Sequence, residues 1–359
     1  MTTLVRRARL GHPRVATMRP SAWVSLIVLG LVLIVVALVA ICLGPVLIPF
    51  SDTCRIVLGF FGVHSGEASS SFALVVRDIR LPRVLLAVLA GGGLGVAGAV
   101  MQAFFRNPLA DPGVTGVSSG AAVGAVAVLA SGVDVLGPWT LPAAAFAGAL
   151  LVMGLVQGIG LVARDRTPVT LLLVGVALNA FFGAAVGALV SNASDSQTVR
   201  GAVFWLQGDL NTASWAQVKL VLVPVLVCST AALLVTRELN ALLLGDEQAQ
   251  SIGVNVSLLR GGLLILTAVL VGSIVSVTGV IGFVGLVVPH VVRLVLGADH
   301  RLLIPAAALL GASFLTAADT VARVVVEPVS WQTGVVTALA GSPVFLVLVL
   351  RSRRVGRAA

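Results

Sequence analysis

The chain has 359 residues, of which 58% are hydrophobic and 10% are charged, and its mean hydropathy is +1.10. Soluble domains carry about 25% charged residues, so this composition excludes a water-soluble globule and predicts a protein embedded in lipid. The net charge of +9 does not indicate a nucleic-acid-binding protein, because the basic residues cluster at the ends of apolar segments and form no soluble basic domain.

Apolar segments long enough to cross a bilayer recur along the whole chain. A spanning helix needs about 20 apolar residues, and the first such segment is too long for a signal-peptide core. We predict an all-α polytopic membrane protein whose ten-helix domain covers 22–351, between a basic N-terminus over 1–21 and a basic tail over 352–359. The predicted spans lie near 22–43, 83–104, 114–131, 139–163, 169–190, 215–235, 260–279, 283–297, 302–323 and 333–350.

The distribution of basic residues predicts which segments face the cytoplasm. Five arginines precede the first span and four follow the last, so we expect both termini in the cytoplasm and an even number of spans. The predicted inner segments then hold sixteen arginines and the outer segments seven basic residues, which agrees with the positive-inside rule. The outer residues need a separate explanation; they are Arg55, Arg77, Arg80, Arg83, Arg200, Lys219 and Arg323.

Glycines in the second span are spaced for helix packing. The sequence GGGLGVAG at 91–98 places Gly91, Gly95 and Gly98 four and three residues apart, on one helix face. Small residues at such spacings let helix backbones approach closely in lipid. The segment is not a nucleotide-binding loop, because no strand precedes it and no Gly-Lys-Ser/Thr sequence follows it.

A polar turn, RNPLADPGVTG at 106–116, follows the second span and separates two long apolar segments. Pro108 and Pro112 end helices, and Gly113 relieves the steric limits of a turn. Non-helical backbone at membrane depth is tolerated where it lines a watery cavity rather than lipid. The turn is therefore either a plain cytoplasmic loop or part of a path for a solute.

The predicted inner segment 236–259 carries acidic residues against the basic trend of the inner loops. Glycines divide it into two short helical stretches, and apolar residues recur in it at helical spacing. The segment is either a solvated connector or a docking surface for another protein. The residues that define this pattern are Leu239, Leu242, Leu243, Gly245, Asp246, Glu247, Ala249 and Gly253.

The sequence shows no catalytic, cofactor-binding or metal-binding constellation. Its four histidines are scattered, its three cysteines lack metal-ligand spacing, and no paired carboxylates occur within a span. His290, next to the end of a predicted helix, either caps a broken helix or serves as a ligand or proton relay. A chain with neither an ATP site nor an obvious acidic relay is expected to draw its driving force from elsewhere.

Several long motifs, in the same order, resemble the iron–siderophore and cobalamin permeases of the type II ABC importers. They are RLPRVLLAVLAGGGLGVAGAVMQAFFRNPLADPGVTGVSSGAAVGA, LNALLLGDEQAQSIGV, GVIGFVGLVVPHVVRLVLGADHRLLIPAAALLGASFLTAADTVAR and GVVTALAGSPVFLVLVLR. The likeness runs from about residue 20 to 351. It implies the type II ABC importer permease fold, with ten spans and a second permease subunit, identical or different, across a central path. The implied partners are a cytoplasmic ABC ATPase dimer and an extracytoplasmic substrate-binding protein.

The resemblance also implies roles for individual residues on the cytoplasmic side. Asn107 and Leu109 contribute to an inner gate, which answers why a polar turn interrupts the apolar sequence. The start of the fifth span, with Pro168 and Val169, forms the opposing side of this gate, where relatives often carry hydroxyl residues. Segment 239–256 is similar to the pair of coupling helices that sit in a cleft of the ATPase.

On the outer side, the resemblance implies that Arg80, Arg83 and Arg323 face glutamates of the binding protein, in salt bridges that set register and speed more than affinity. Arg323 has an alternative partner in Asp319, one helical turn away. Relatives commonly carry Glu-x-Pro-x-Gly before the tenth span, where this chain has SWQTG at 330–334. Its nearest Glu-Pro pair is displaced upstream, to 327–328.

The expected function is that of a permease subunit that moves a ferric siderophore across the cytoplasmic membrane. ATP is hydrolysed on the partner subunit, so the chain itself is not an enzyme. Cobalamin and haem are alternative cargoes. The alternatives from other classes are a secondary transporter driven by an ion gradient, with Asp319 as its ionisable site, and an intramembrane enzyme, for which the sequence shows no catalytic set.

Overall fold

The computed structural model describes residues 20–44, 46–60, 70–163, 167–193, 195–325 and 330–355. Within these ranges it has fifteen α-helices and no β-strand, which confirms the all-α prediction. The predicted N-terminal segment up to residue 19, Arg164, Arg166 and the Glu-Pro pair at 327–328 lie outside the described residues. The helices are α1 Pro20–Cys42, α2 Phe50–Phe60, α3 Ser70–Leu74, α4 Leu81–Phe104, α5 Val117–Ser131, α6 Thr140–Val162, α7 Pro168–Ser191, α8 Ser196–Gln207, α9 Trp215–Leu234, α10 Thr236–Leu242, α11 Asp246–Ser251, α12 Val256–Thr278, α13 Val284–Leu296, α14 His300–Val324 and α15 Thr333–Val355.

Seven helical segments of the described chain are long and apolar enough to cross a membrane, and three shorter apolar helices in α5, α13 and α15 bring the number to ten. Each of the ten falls on a predicted span. Two boundaries differ from the prediction. A π-helical turn at Val75–Arg80 joins α3 to α4, so the helical segment Phe72–Phe104 has 33 residues and begins well before 83. The last helix continues to Val355, into the predicted tail.

The second span, α4, occupies the centre of the bundle. Its most apolar window is 83% buried, whereas the corresponding windows of α1 and α7 are 11% and 17% buried. It packs against α9, α12, α13 and α14. Burial on all sides explains why the α4 sequence is apolar all round and has no polar stripe.

The glycines of α4 permit this packing, which confirms the prediction from their spacing. A side chain at Gly91 or Gly95 would overlap backbone atoms of α14. One at Gly98 would overlap the backbone of Gly285 in α13. Lipid tails are as apolar as leucine, so helices in a bilayer associate through such close contacts more than through hydrophobic burial.

The bundle has two ends that differ in their short helices. At one end, Arg106 follows α4 and pairs with Asp246 of α11, and the N–H of His300 at the start of α14 donates to Asn240 of α10 at 2.9 Å. We call this the α10–α11 end; the predicted orientation places it in the cytoplasm. The opposite end carries α8 and the start of α9, where the Trp215 indole donates to a backbone carbonyl beside α4.

Between α12 and α13 the backbone leaves the helical conformation within the bundle. Gly279 has a φ of 67° and Phe283 a φ of 69°, so the chain turns sharply on each side of this break. Helix α13 has 13 residues, too few to cross a bilayer of about 30 Å alone. The shortness that the sequence predicts for the eighth span is confirmed.

Gly98→Ala is expected to destabilise the protein by about 1–3 kcal/mol, because the new methyl group overlaps the backbone of Gly285 and separates α4 from α13. Gly154→Ala, on the exposed face of α6, is the matched control, because a Cβ there meets no atom within 4 Å. Thermal unfolding of the detergent-solubilised proteins measures both effects. An unchanged midpoint for Gly98→Ala would contradict this account of the α4 contact.

Candidate functional site

The polar turn after α4 is held in a defined conformation by its own polar groups. Arg106 has a φ of 49°, in the left-handed region, and the N–H of Asn107 donates to the carbonyl of Gln102 at 3.1 Å, which closes α4. The Asn107 side chain then accepts a hydrogen bond from the N–H of Leu109 at 2.9 Å. Asn107 and Leu109, the two predicted gate residues of this turn, are both exposed at the α10–α11 end.

The second half of the turn is attached to α7. The Asn179 side chain of α7 donates to the carbonyls of Gly113 and Val114 at 3.2 and 3.1 Å. Asp111 accepts from the N–H of Gly113 at 2.7 Å and so starts the short 3₁₀ turn that follows. Burial raises the pKa of Asp111, and the Gly113 N–H partly offsets this effect. A displacement of α7 would therefore move the turn with it.

The other two predicted gate residues begin α7. Pro168 is half-buried and Val169 is 66% exposed. Beside them, a groove of about 290 Å³ is lined by Thr167, which precedes α7, by Asp246 of α11 and by Arg260 of α12. All four predicted gate residues therefore lie at the α10–α11 end.

Two short helices, α10 and α11, form within segment 236–259, as its glycine pattern predicts. Gly245 lies between them with a φ of 115°, and Gly253 follows α11 with a φ of 91°. Both values lie in the region that side chains other than glycine rarely adopt, so glycine is required at each break. These two turns set the angles at which the chain leaves α10 and enters α12.

The apolar side chains that mark this segment in the sequence face the bundle. Leu239, Leu242 and Ala249 are fully buried in the core, and Leu243 is half-buried. The expectation that these residues form an exposed docking surface is therefore corrected. A short helix resting on a bundle buries its apolar face there, so helical spacing identifies the face that anchors the segment.

The exposed apolar surface of the segment comes from residues that the spacing does not indicate. Leu244 is 67% exposed and Ile252 is 65% exposed, and Glu247 between them in sequence is also exposed. Leu244 follows the end of α10, and Ile252 follows the end of α11. Because both lie where a helix ends, no periodic pattern could have assigned them to a face.

One carboxylate joins the polar turn to α11 and α12. Asp246, the first residue of α11, accepts a hydrogen bond from Arg260 Nη2 at 2.8 Å, and Arg106 Nη2 lies 3.5 Å from the same oxygen. Arg260 is buried, and its guanidinium carbon lies 5.8 Å from the centre of the Phe104 ring. We call Arg106, Asp246 and Arg260 the Asp246 cluster. Of these three residues, only Asp246 belongs to the sequence pattern that marks segment 236–259.

The opposite end of the bundle is held by a buried ion-pair network. Arg83 of α4 donates to Asp319 of α14 through Nε at 2.9 Å and Nη2 at 2.8 Å. Arg323 Nε lies 3.3 Å from the same carboxylate, and the Thr333 hydroxyl at the start of α15 donates to it at 3.0 Å. Asp319 is 1% exposed. The network therefore ties α4, α14 and α15 together.

Two arginines, Arg80 and Arg323, bind the free backbone carbonyls at the end of α1. Arg80 donates to backbone carbonyls in the last turn of α1 and in the loop after it, among them that of Cys42 at 2.9 Å. Arg323 donates to the carbonyl of Ala40 at 3.0 Å. The last carbonyls of a helix have no partner within the helix, so cations here satisfy them and complement the helix dipole.

These contacts bear on the docking role predicted for Arg80, Arg83 and Arg323. All three side chains are buried and have internal partners. The pair between Arg323 and Asp319, the alternative that their spacing allows, is present. The docking role stays a prediction, and it requires these guanidinium groups to leave the partners they have here.

The segment SWQTG enters α15 through backbone contacts. The Trp331 N–H donates to the carbonyl of Ala322 at 3.0 Å, and the Gly334 N–H donates to the carbonyl of Gly208 at 3.1 Å. A side chain at Gly334 would overlap the backbone of Gln207 at the end of α8. Glycine is therefore needed at position 334 so that the start of α15 can lie close to the end of α8, whatever residues precede it.

Buried His290 of α13 has no hydrogen-bond partner at either ring nitrogen among the described residues. It therefore does not cap a helix, contrary to one of the two roles expected for it. Across the described ranges, no group of three or more His, Cys, Asp or Glu residues could hold a metal ion. The ion pairs of Asp246 and of Asp319 lie at the two ends of the bundle.

Comparison with protein families gives one match that covers most of the chain. The FecCD transport family matches residues 32–351. One solved structure, an inward-facing conformation of a metal-chelate type ABC transporter, has a TM-score of 0.81 and 30% identity, covering 91% of this chain and 98% of that chain. The fold therefore agrees with that of an ABC transporter over nearly its full length.

Three similar proteins carry names that specify a transported compound. The hemin transport system permease protein of Yersinia pestis is 46% identical over 290 residues, which cover 77% of this chain and 83% of that protein. The cobalamin import system permease protein of Halobacterium salinarum is 47% identical over 284 residues, 79% and 74% of the two chains. The Fe(3+)-citrate import system permease protein of Bacillus subtilis is 36% identical over 330 residues, 90% and 94%.

Asp319→Asn is expected to destabilise the protein by about 3–5 kcal/mol, because it leaves the buried guanidinium groups of Arg83 and Arg323 without a counter-charge. Asp52→Asn is the control: its partner Arg55 is half exposed and 3.6 Å away, so the expected loss is about 0–1 kcal/mol. Chemical denaturation in detergent micelles measures both variants. Similar losses in the two would show that the Asp319 network does not hold this end together.

Proposed function

This chain belongs to the FecCD transport family and is a permease subunit of a type II ABC importer, and from this premise we propose that its cargo is a ferric siderophore. The relatives named for a cargo are named for hemin, cobalamin and Fe(3+)-citrate. All three are complexes in which an organic ligand surrounds a metal ion. A bulky metal chelate is the class that these cargoes share, and a ferric siderophore belongs to it. Cobalamin and haem are the alternative cargoes.

In this proposal, ATP is hydrolysed on a separate cytoplasmic ABC ATPase dimer, and the chain itself carries out transport without catalysis. The proposal is supported by the relatives, which are permease proteins of import systems. An ion-gradient-driven carrier, for which Asp319 is the candidate ionisable residue, is not favoured. The Asp319 carboxylate is already engaged in ion pairs with Arg83 and Arg323.

The ATPase is proposed to bind the exposed side of α10 and α11, where Leu244, Glu247 and Ile252 are accessible. The observation that carries this mechanism is the Asp246 cluster. Asp246 begins α11, and its two arginines belong to the polar turn and to α12. A displacement of α11 by the ATPase would therefore alter the contact with the turn that carries Asn107 and Leu109.

The two ion pairs of the Asp246 cluster differ in strength. Arg260 is buried and close to Asp246, at 2.8 Å, so breaking this pair would leave a buried charge unpaired. Arg106 is 3.5 Å away with its side chain 39% exposed, and pairs of this kind contribute about 0–1 kcal/mol. We therefore assign the Arg106 contact as the one that opens when α11 moves, which frees the polar turn while α11 stays attached to α12.

A second permease subunit, identical or different, is proposed to pack against α7. Gly183 and Gly187 are four residues apart on this helix and exposed, and a Cβ at either meets no atom within 4 Å. Small residues at this spacing allow close contact between helices in lipid. Pro168 and Val169 begin the same helix, so a path between two subunits would have the predicted gate residues at its α10–α11 end.

The extracytoplasmic substrate-binding protein is proposed to dock at the opposite end of the bundle. Arg80, Arg83 and Arg323 support this end through their contacts with α1, α14 and Asp319. Any of the three that is released from these contacts would offer a positive charge to an acidic lobe of the binding protein. The proposed orientation places both termini and the α10–α11 end in the cytoplasm.

Reconstitution into liposomes with candidate ATPases and binding proteins tests the function, with ATP turnover and uptake of labelled ferric siderophores, hemin and cobalamin as readouts. Ferric siderophore is expected to stimulate both. Leu244→Asp is expected to reduce both at least about tenfold, because a charge replaces an exposed apolar contact, while Leu244→Met retains them. Accumulation of cargo by the permease alone in an ion gradient would contradict the ABC mechanism.

Gly183→Cys is expected to cross-link two permease subunits through a short thiol-specific reagent, in a protein whose three native cysteines are replaced by serine. Gly154→Cys on α6 is the matched control, since it is equally exposed and open but lies on another face. Electrophoresis of membranes after treatment measures the dimer. Equal cross-linking at both positions would place the second subunit somewhere other than α7.

A further inference from the structure

A groove of about 650 Å³ lies at the α10–α11 end, between the end of α9, helix α10, the turn that follows α11 and the first half of α12. Ile252, which also belongs to the proposed ATPase surface, is among its lining residues. Its lining is polar at one extremity, with Arg237, Glu238 and Asn255, and apolar along α12, from Leu258 to Leu266. Nine residues of helix rise by about 12 Å between the first and the last. The groove therefore extends from the end of the bundle into the depth that the membrane covers.

The surface that surrounds the groove is made of exposed leucines on two spanning helices. Leu234 at the end of α9 is 77% exposed, and Leu258 near the start of α12 is 74% exposed. In a bilayer such side chains contact acyl chains, because lipid is the solvent of this surface. The apolar part of the groove, along α12, is therefore next to a surface that lipid covers.

The polar extremity of the groove holds one charge of each sign, and neither is paired within the described residues. Arg237 is exposed and takes part in no ion pair there. Oε2 of Glu238 is buried and accepts no hydrogen bond from the described part of the chain. A buried carboxylate oxygen without a donor costs free energy. A ligand that brings an ammonium for Glu238 and a phosphate for Arg237 removes this cost.

We propose that this groove is a binding site for one phosphatidylethanolamine molecule. Its phosphate accepts hydrogen bonds from the Arg237 guanidinium, its ammonium donates to Glu238, and one acyl chain lies along α12 between Leu258 and Leu266. Basic pockets between spanning helices on the cytoplasmic side are known to suit phospholipid headgroups. Phosphatidylglycerol would offer Glu238 only neutral hydroxyl donors and no ammonium, and the choline headgroup has no N–H to donate.

The site connects a lipid to the helices that precede and follow α11. Arg237 and Glu238 belong to α10, while the acyl chain would lie on α12. A bound lipid would therefore hold α10 against α12 without touching the Asp246 cluster. This inference goes beyond the proposed transport function and depends on the placement of the chain in a bilayer with the α10–α11 end on the cytoplasmic side.

Lipid retention by the permease purified with its ATPase tests the site. The complex is exchanged into detergent with equal amounts of phosphatidylethanolamine, phosphatidylglycerol and phosphatidylcholine, and bound lipid is measured by native mass spectrometry. The wild-type protein is expected to retain phosphatidylethanolamine over the other two. Glu238→Gln is expected to reduce this preference about tenfold, as for the loss of one charge-assisted hydrogen bond. Arg237→Gln is expected to weaken retention of all three lipids.

Filling the groove provides a second test that does not depend on charge. Gly262 lines the groove, is exposed, and has no atom within 4 Å of an added Cβ, so Gly262→Phe can occupy it without disturbing the core. This variant is expected to exclude the lipid. Gly154→Phe on α6, with equally open surroundings, is the matched control and is expected to retain it.

Retention of phosphatidylethanolamine by Gly262→Phe, or a preference of the wild-type protein for phosphatidylglycerol, would overturn the proposal. Loss of the ATPase from Gly262→Phe with the lipid retained would also overturn it, because the groove would then belong to the protein interface. ATP-driven uptake, measured after reconstitution of the same variants into liposomes, distinguishes a failure of this site from a failure of the proposed transport function.

Discussion

Helices in a bilayer gain little by burying apolar side chains against one another, because the lipid tails are equally apolar, so this bundle depends on how closely its backbones approach α4. Gly91 and Gly95 bring α4 against α14, and Gly98 brings it against α13. These contacts place the most buried helix of the described chain at the centre. Every site discussed for this protein is positioned by an element that packs, directly or through one neighbour, on α4.

The same helix connects the two ends of the molecule. At one end Arg83 of α4 binds Asp319 of α14, and at the other Arg106, just after α4, faces Asp246 of α11. The first pair is buried and the second is partly exposed, so the first resists displacement and the second can open at low cost. An arrangement of one firm and one weak attachment on a continuous helix allows the α10–α11 end to move while the opposite end keeps its shape.

Several charged residues at the two ends of the bundle have partners that fit their depth. The arginines of the opposite end satisfy Asp319 and the free carbonyls of α1, whereas Arg260 satisfies the first residue of α11. Arg237 and Glu238 differ from these residues, since among the described residues Arg237 takes part in no ion pair and Oε2 of Glu238 accepts no hydrogen bond. A zwitterionic lipid headgroup would give each of these two residues a partner of opposite charge, because it carries both a phosphate and an ammonium.

Local patterns in the sequence were sufficient to predict the all-α class, the ten apolar segments, the close packing at the α4 glycines and the division of α10 from α11. Each depends on composition or on residues within a few positions of one another. The pair between Arg323 and Asp319 belongs to this group too, because it spans one helical turn. The relatives confirm the importer family that the longer motifs resemble.

Only the tertiary structure decided which face of each element is covered. It buried Leu239 and Leu242 and exposed Leu244, and it gave Asp319 a second partner, Arg83, 236 positions away. Helical periodicity states that one face is apolar but not what lies against it, and a contact between distant residues depends on the relative positions of whole helices. The Asp246 cluster and the groove beside α12 are both of this second kind.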